Sequence, residues 1–169
     1  MLNVLKYIEE QPATITYDLY IPITIEFGSW DRAKEPAIYW RTGDFKRSLL
    51  EIGMGKATGI IRSITLTLSE KVFKTRKPYF NRKNLMADRG TPVFQVEGFK
   101  DQPYLDEKTD LYVNIGNKNI WIAFSENQIS SFIEDDHIGF ALDAKNNLCG
   151  ILISGVLEHD RKKLEKALG

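Results

Sequence analysis

The stretch "EIGMGKATGII", residues 51–61, decides the fold. A glycine pair beside a lysine and a threonine either cradles a phosphate ahead of a helix or turns the chain between two strands. A phosphate loop needs its lysine followed at once by serine or threonine, then a helix whose first amides face the anion. Here Ala57 separates Lys56 from Thr58, and the next residues, "GIIRSITLTL", alternate branched apolar and polar side chains. That period of two belongs to a strand. The reading is therefore a hairpin, with strands over 49–53 and 57–68 and Met54, Gly55 and Lys56 as its loop, a length at which a glycine supplies a positive φ. Ile60, Ile64, Leu66 and Leu68 share one face with Arg62. An unpaired charge there would be costly, so Arg62 is expected at a sheet rim or against a carboxylate.

Working outward, "ALDAKNNLCGILI" at 141–153 has the same texture: an apolar strand, a loop with a lysine, then Gly-Ile and a second apolar strand. Two such units are read as a duplicated hairpin or as two solutions to one turn problem. In the second, pairing Asp143 with Leu148 sets Cys149 against Leu142, Ile151 against Phe140, Ile153 against Ile138 and His137 against Ser154. "TITYDLYIPITIEF", 14–27, alternates throughout and reads as one long half-buried strand, with Pro22 at an edge or bulge. "DLYVNIGNKNIWIAF", 110–124, reads as a hairpin turning at Gly116-Asn117, with Val113 facing Ile120, Leu111 facing Ile122 and Tyr112 facing Trp121.

Three helices are expected. Leu2, Leu5 and Ile8 recur at near-helical spacing, Ser125 and Gln128 form a capping box ahead of Ile129, Phe132 and Ile133, and Leu157, Leu164 and Leu168 make a terminal stripe. The expected fold is one α+β domain over 1–169. Its mainly antiparallel sheet has about seven to eight strands, curved or split, with short helices at the termini and before the last hairpin.

Composition narrows function. Lysine plus arginine and aspartate plus glutamate are 23 each, so no whole-molecule field draws the chain to nucleic acid or an anionic membrane. No apolar run is long enough for a membrane span or a signal-peptide core. Cys149 is the single cysteine, which excludes an internal disulfide and suits a cytoplasmic protein. With His137 and His159 it offers no metal-ligand spacing, so neither a metal nor another cofactor is expected.

Three groups of residues remain as candidates. Trp30, Tyr39, Trp40 and Arg41 are the residue types that anchor protein interfaces, and Glu134, Asp135 and Asp136 form an acidic run suited to a cationic partner. The segment 71–89 interleaves Lys71, Lys74, Arg76, Lys77, Arg82, Lys83 and Arg89 with Phe73, Tyr79 and Phe80, a pattern for phosphate contact and base stacking. Asp44, Glu51, Asp106 and Asp110 could supply a carboxylate pair in a cleft.

The two hairpin stretches, "ALDAKNNLCGILI" and "EIGMGKATGII", resemble hairpins of bacterial immunity proteins from polymorphic and contact-dependent toxin systems. The resemblance covers about a quarter of the chain. It implies a cytoplasmic protein that neutralises one cognate toxin by binding it, without chemistry of its own. The expected function is thus non-enzymatic protein binding through Trp30, Trp40, Arg41 and Glu134 to Asp136. The alternatives are a nucleic-acid-associated protein using Lys74, Arg76, Lys77, Tyr79, Arg82 and Lys83, and a carboxylate-based enzyme.

Overall fold

Alternating apolar and polar side chains make strands along most of the chain. The computed structural model describes residues 1–74 and 82–169. The first strands are β1 (Val4–Ile8), β2 (Ala13–Tyr17), β3 (Ile23–Phe27), β4 (Ala37–Gly43), β5 (Leu49–Gly55) and β6 (Ile61–Leu68). Then follow β7 (Lys71–Lys74), β8 (Met86–Arg89), β9 (Thr91–Phe94), β10 (Tyr104–Lys108), β11 (Tyr112–Ile115) and β12 (Ile120–Ala123). The chain ends with β13 (Ser131–Asp135), β14 (Ile138–Leu142), β15 (Leu148–Ile153) and the helix α1 (Glu158–Leu168).

Two sheets pack face to face. The six-stranded sheet has the order β10-β4-β5-β6-β3-β2, and the seven-stranded sheet β7-β11-β12-β15-β14-β13-β8. Ile23, Ile25 and Phe27 of β3 and Leu50, Ile52 and Met54 of β5 point inward, into one cluster shared with Val113, Ile122, Phe140 and Ile151 of the other sheet. Phe27 meets Phe140 at 6.0 Å between ring centroids, and Trp40 meets Phe124 at 5.3 Å. Leu164 of α1 is fully buried in the same cluster.

The echo between the two hairpins is one of position. β5–β6 and β14–β15 each lie inside their sheet, as the last two strands of a three-strand meander. Each meander carries a parallel strand on its far side, β10 on β4 and β8 on β13. Each is joined on its near side by an antiparallel hairpin, β2–β3 or β11–β12. β7, parallel to β11, is the seven-stranded sheet's extra strand.

A two-stranded ribbon, β1 with β9, ties both hairpin loops together. Phe94 N–H donates to the Gly59 carbonyl at 2.8 Å and Val93 bridges Ile60. On the other side Val4 N–H donates to Asn146 O at 2.9 Å and Leu148 N–H to Leu2 O at 2.8 Å. The ribbon's strands therefore bind backbone to backbone, one on each loop.

The α+β expectation is overturned: the chain is mostly β, with sheets of two, six and seven strands, and α1 is the one α-helix among the described residues. The amino-terminal segment is β1, not a helix, because Leu2 and Val4 are buried two residues apart while Leu5 is exposed. The expected helix after Ser125 is a turn followed by β13. Ser125 Oγ accepts from Asn127 N–H at 3.2 Å, and adjacent Phe132 and Ile133 are buried in separate clusters on opposite faces, which only a strand allows.

Three registers also differ. The long strand over 15–27 is a hairpin, β2–β3, turning at 18–22. In β11–β12 Val113 pairs with Ile122 and Ile115 with Ile120, so the turn sits one residue later, at 117–118. The shift moves each partner by two residues, which keeps every side chain on its expected face. In β14–β15 Ile138–Ile153 and Phe140–Ile151 pair as expected, but Leu142 pairs with Leu148, leaving Cys149 as a bulged residue.

Gly59 is where turn chemistry and packing coincide. Its φ is +70°, and a Cβ there would lie 2.1 Å from the Phe94 carbonyl oxygen. Gly59→Ala should cost about 2–4 kcal/mol by adding left-handed strain and parting the ribbon from the loop. Gly98→Ala, where the nearest atom is a flexible leucine methyl at 3.9 Å, should be close to neutral, both variants being read by denaturant titration.

Candidate interaction surface

The loop between β5 and β6 does hold an anion, and the anion is the protein's own. Glu35 Oε1 accepts from Ala57 N–H at 3.0 Å, Thr58 N–H at 2.8 Å and Thr58 Oγ1 at 2.9 Å. Backbone amides converging this way form an anion-binding nest. Gly55 makes room for it, since a Cβ there would lie 2.5 Å from that same oxygen.

Arg62 completes the arrangement. Gly53 pairs with Ser63 and Met54 with Ile61, so Arg62 is the extra residue of a bulge. Its side chain is 5% exposed and donates to Glu35 Oε2 at 2.6 Å and to the Glu35 carbonyl at 2.8 Å. The expected carboxylate partner is thus Glu35. The guanidinium also lies 4.6 Å from the Trp30 ring centroid, while Arg32 sits 5.2 Å from that ring. Burial pushes the Glu35 carboxyl up, but the Thr58 and Ala57 hydrogen bonds and Arg62 outweigh it and hold the acid below its usual range.

The expected interface residues separate. Trp30 is half-buried between the two arginines, and Arg41 is half-buried on the outer face of the six-stranded sheet. There Arg41 grips Asp106 through two hydrogen bonds, 2.7 and 2.9 Å, over the Tyr104 ring, which stacks on Tyr39. Trp40 points the other way. It is 1% exposed, with its Nε1 donating to Glu107 Oε2 at 3.0 Å, and presents nothing to a partner. Of the acidic run, Asp136 is exposed, Glu134 is half-buried against Arg82, and Asp135 is fully buried. The run is therefore not one acidic patch, because alternate strand residues face opposite ways.

The basic segment is tied down in part where it is described. Lys74 is exposed, Arg82 pairs with Glu134 and lies over the Phe132 ring, and Arg89 pairs with Glu10 at 3.0 Å. Lys83 is exposed too. Arg76, Lys77 and Tyr79, with Phe80, lie outside the described residues.

The four carboxylates considered for catalysis do not converge. Asp106 is held by Arg41, Asp110 pairs with Lys71 at 2.8 Å, and Asp44 accepts three backbone amides of its own loop. Those amides hold the Asp44 carboxyl at about 2. Glu51 stands across from Arg41, its carboxyl pushed up by burial and partly offset by that arginine. Cys149 is buried in its bulge, and burial pushes its thiol up. Among the described residues, no three His, Cys, Asp or Glu side chains gather as a metal set, and no helix is long and apolar enough to cross a membrane.

A different feature stands out at one end of the six-stranded sheet. The β2–β3 turn exposes three consecutive apolar side chains, Leu19, Tyr20 and Ile21, with Tyr20 90% exposed. Asp18 Oδ1 shapes the turn by accepting from Tyr20 N–H at 2.8 Å and Ile21 N–H at 3.4 Å, and Pro22 is buried behind it. Ile23 pairs with Leu66, Leu49 with Leu68 and Gly43 with Leu49, so the loop at 44–48 emerges at the same end. That loop exposes Phe45 at φ +60°. Two ion pairs lie around this end, Arg47 with Glu70 at 2.6 Å and Lys71 with Asp110, while Lys46 is exposed.

The sequence carried a signal for this turn: "DLYIP" sets an aspartate and a proline four residues apart between two alternating runs. Unbroken alternation masked it. The outer face of the seven-stranded sheet holds a groove of about 600 Å³ floored by Trp121 and walled by Phe73, Tyr112 and Ile129, and none of the four carboxylates lines it.

No protein-family model matches this chain, and no curated protein matches it in sequence.

Glu35→Ala should destabilise the protein by about 2–3 kcal/mol, since buried Arg62 keeps only a carbonyl partner. Because the native acid is more easily ionised than the unfolded one, the stability lost in this variant should be present at neutral pH. It should vanish as pH falls through the depressed native value, where wild type and variant converge in thermal unfolding.

Proposed function

We propose that this chain is a non-enzymatic protein-binding protein whose contact surface is the apolar end of the six-stranded sheet. The observation that carries this reading is the shaped turn with Leu19, Tyr20 and Ile21 turned to solvent. Hairpin turns favour glycine, asparagine and other small polar residues, so three bulky apolar side chains at a tip serve no local need. Tyrosine with aliphatic neighbours is the composition of an interface centre, and the ion pairs around it form a polar rim.

Those ion pairs are satisfied internally, which limits the charge that docking must strip of water. Asp18 and Asp44 hold both loops in place before any partner arrives, which lowers the ordering cost of association. Tyr39, Arg41 and Tyr104 lie on the outer face of the same sheet as a second contact area.

The resemblance of the two hairpins to bacterial immunity proteins supplies the partner class: a toxin domain, held by direct binding in the cytoplasm. A toxin domain encoded beside this gene would be the partner to test, by calorimetry and by protection of cells expressing it. Leu19→Ser combined with Tyr20→Ala should weaken binding about 30-fold or more, as expected for an interface centre, with the melting temperature unchanged. Wild-type affinity in that variant would remove the turn from the reading. No binding and no protection by the wild-type protein would remove the toxin partner.

A further inference from the structure

Asp135 is a fully buried carboxylate at the meeting point of three segments. It ends β13, and its Oδ2 accepts from Thr91 Oγ1 at the start of β9. Thr91 Oγ1 in turn accepts from Gln11 N–H, just beyond β1, at 2.8 Å, and Gln11 N–H also lies 3.4 Å from Asp135 Oδ2. Nearby, Gly90 N–H donates to the Glu134 carbonyl at 2.9 Å. The Asp135 side chain is therefore a buried polar contact that joins the Thr91 end of the ribbon, through both its strands, to the seven-stranded sheet.

Its other oxygen, Oδ1, is buried without a hydrogen-bond partner among the described residues. The charged groups around it do not compensate. Glu10, from the β1–β2 connection, and Asp136, from the β13–β14 turn, are both acids. Arg89 of β8 is engaged by Glu10 at 3.0 Å, and Arg82 by Glu134. His137 lies 3.7 Å from Asp136, on the exposed side of the turn. An ionised carboxylate in this place keeps an unsatisfied charge that only opening to water would relieve.

We propose that Asp135 is a pH-sensitive latch: protonated, it closes the β1–β9 ribbon onto β13, and ionised, it loosens that junction. Burial, then Glu10 and Asp136, push its carboxyl above the usual aspartate range against the pull of Thr91 and Gln11. The folded protein consequently holds this proton more tightly than the unfolded chain. The stabilisation is complete below the unfolded value of about 4 and is lost as pH rises through the higher native value. The latch sits at the Ile8–Thr91 end of the ribbon, and the Val4–Phe94 end is held to the two hairpin loops by backbone bonds of its own, so the junction opens from the Thr91 end.

Amide hydrogen exchange of the full chain tests this, with residues 9–12 and 90–94 read against β5 amides at each pH. The wild-type ribbon should open about tenfold more often at neutral pH than near pH 4. Asp135→Asn, neutral at every pH, should remove the difference, whereas Asp136→Asn should keep most of it. A ribbon whose relative protection does not change with pH, or an Asp135→Asn ribbon that still changes, overturns the latch. Should Asp135→Asn not fold, the Asp135 carboxyl carbon can be titrated by NMR in the wild-type protein. A midpoint above that of exposed Asp136 supports the proposal, and one equal or lower overturns it.

Discussion

The contact between the Phe94 amide and the Gly59 carbonyl is the constraint on which the architecture turns. Two sheets with apolar inner faces will pack on each other, but burial is non-directional and does not set how their edges meet. The β1–β9 ribbon does. It lays backbone against the loop of one central hairpin through Phe94 and Val93, and against the other through Leu2 and Val4. Gly59 is needed because a peptide passes where a side chain would stand. The loop that looked able to hold a phosphate instead holds the Glu35 carboxylate on one side and a strand on the other.

Internal satisfaction of charge recurs through the molecule. Glu35 lies in the nest of one hairpin, and Asp143 fills the same role in the other, accepting from Lys145, Asn147 and Asn127. Burial raises the Asp143 carboxyl, yet those donors hold it at about 2. Asp44 and Asp18 likewise accept backbone amides of their own loops at the far end. A sequence with equal numbers of acids and bases thus uses many of them to set loop conformations. The large apolar side chains that face solvent at this end are Leu19, Tyr20, Ile21 and Phe45, and for this reason the binding reading rests there. Asp135 is the exception, a carboxylate with one oxygen unsatisfied.

Much of the strand content was legible because alternation is a local property. The β5–β6 and β14–β15 hairpins, the pairing of Phe140 with Ile151 and the terminal helix follow from it directly. Errors came where two local readings compete. Leu2, Leu5 and Ile8 fit a helix until β9 offers a partner, and Ile129, Phe132 and Ile133 fit one until both faces of β13 are seen to be covered. The turn at 18–22 was hidden because a tight loop of five residues, an odd number, leaves the period of two unbroken. Of the candidate surface, Trp30 and Arg41 were visible as residue types, but the burial of Trp40 and Asp135 depends on which way each strand faces.

By itself, the sequence determined that this chain is a strand-rich protein without a phosphate loop, because the spacing of Lys56 and Thr58 and the alternation after Gly59 are covalent facts that no packing changes. Tertiary structure alone decided that the strands divide into two sheets on a shared plan, that Arg62 finds Glu35, and that Asp135 lies buried between ribbon and sheet. Each depends on segments far apart in the chain meeting in space. A single sequence records which side chains want burial or a partner, and not which distant residue will supply it.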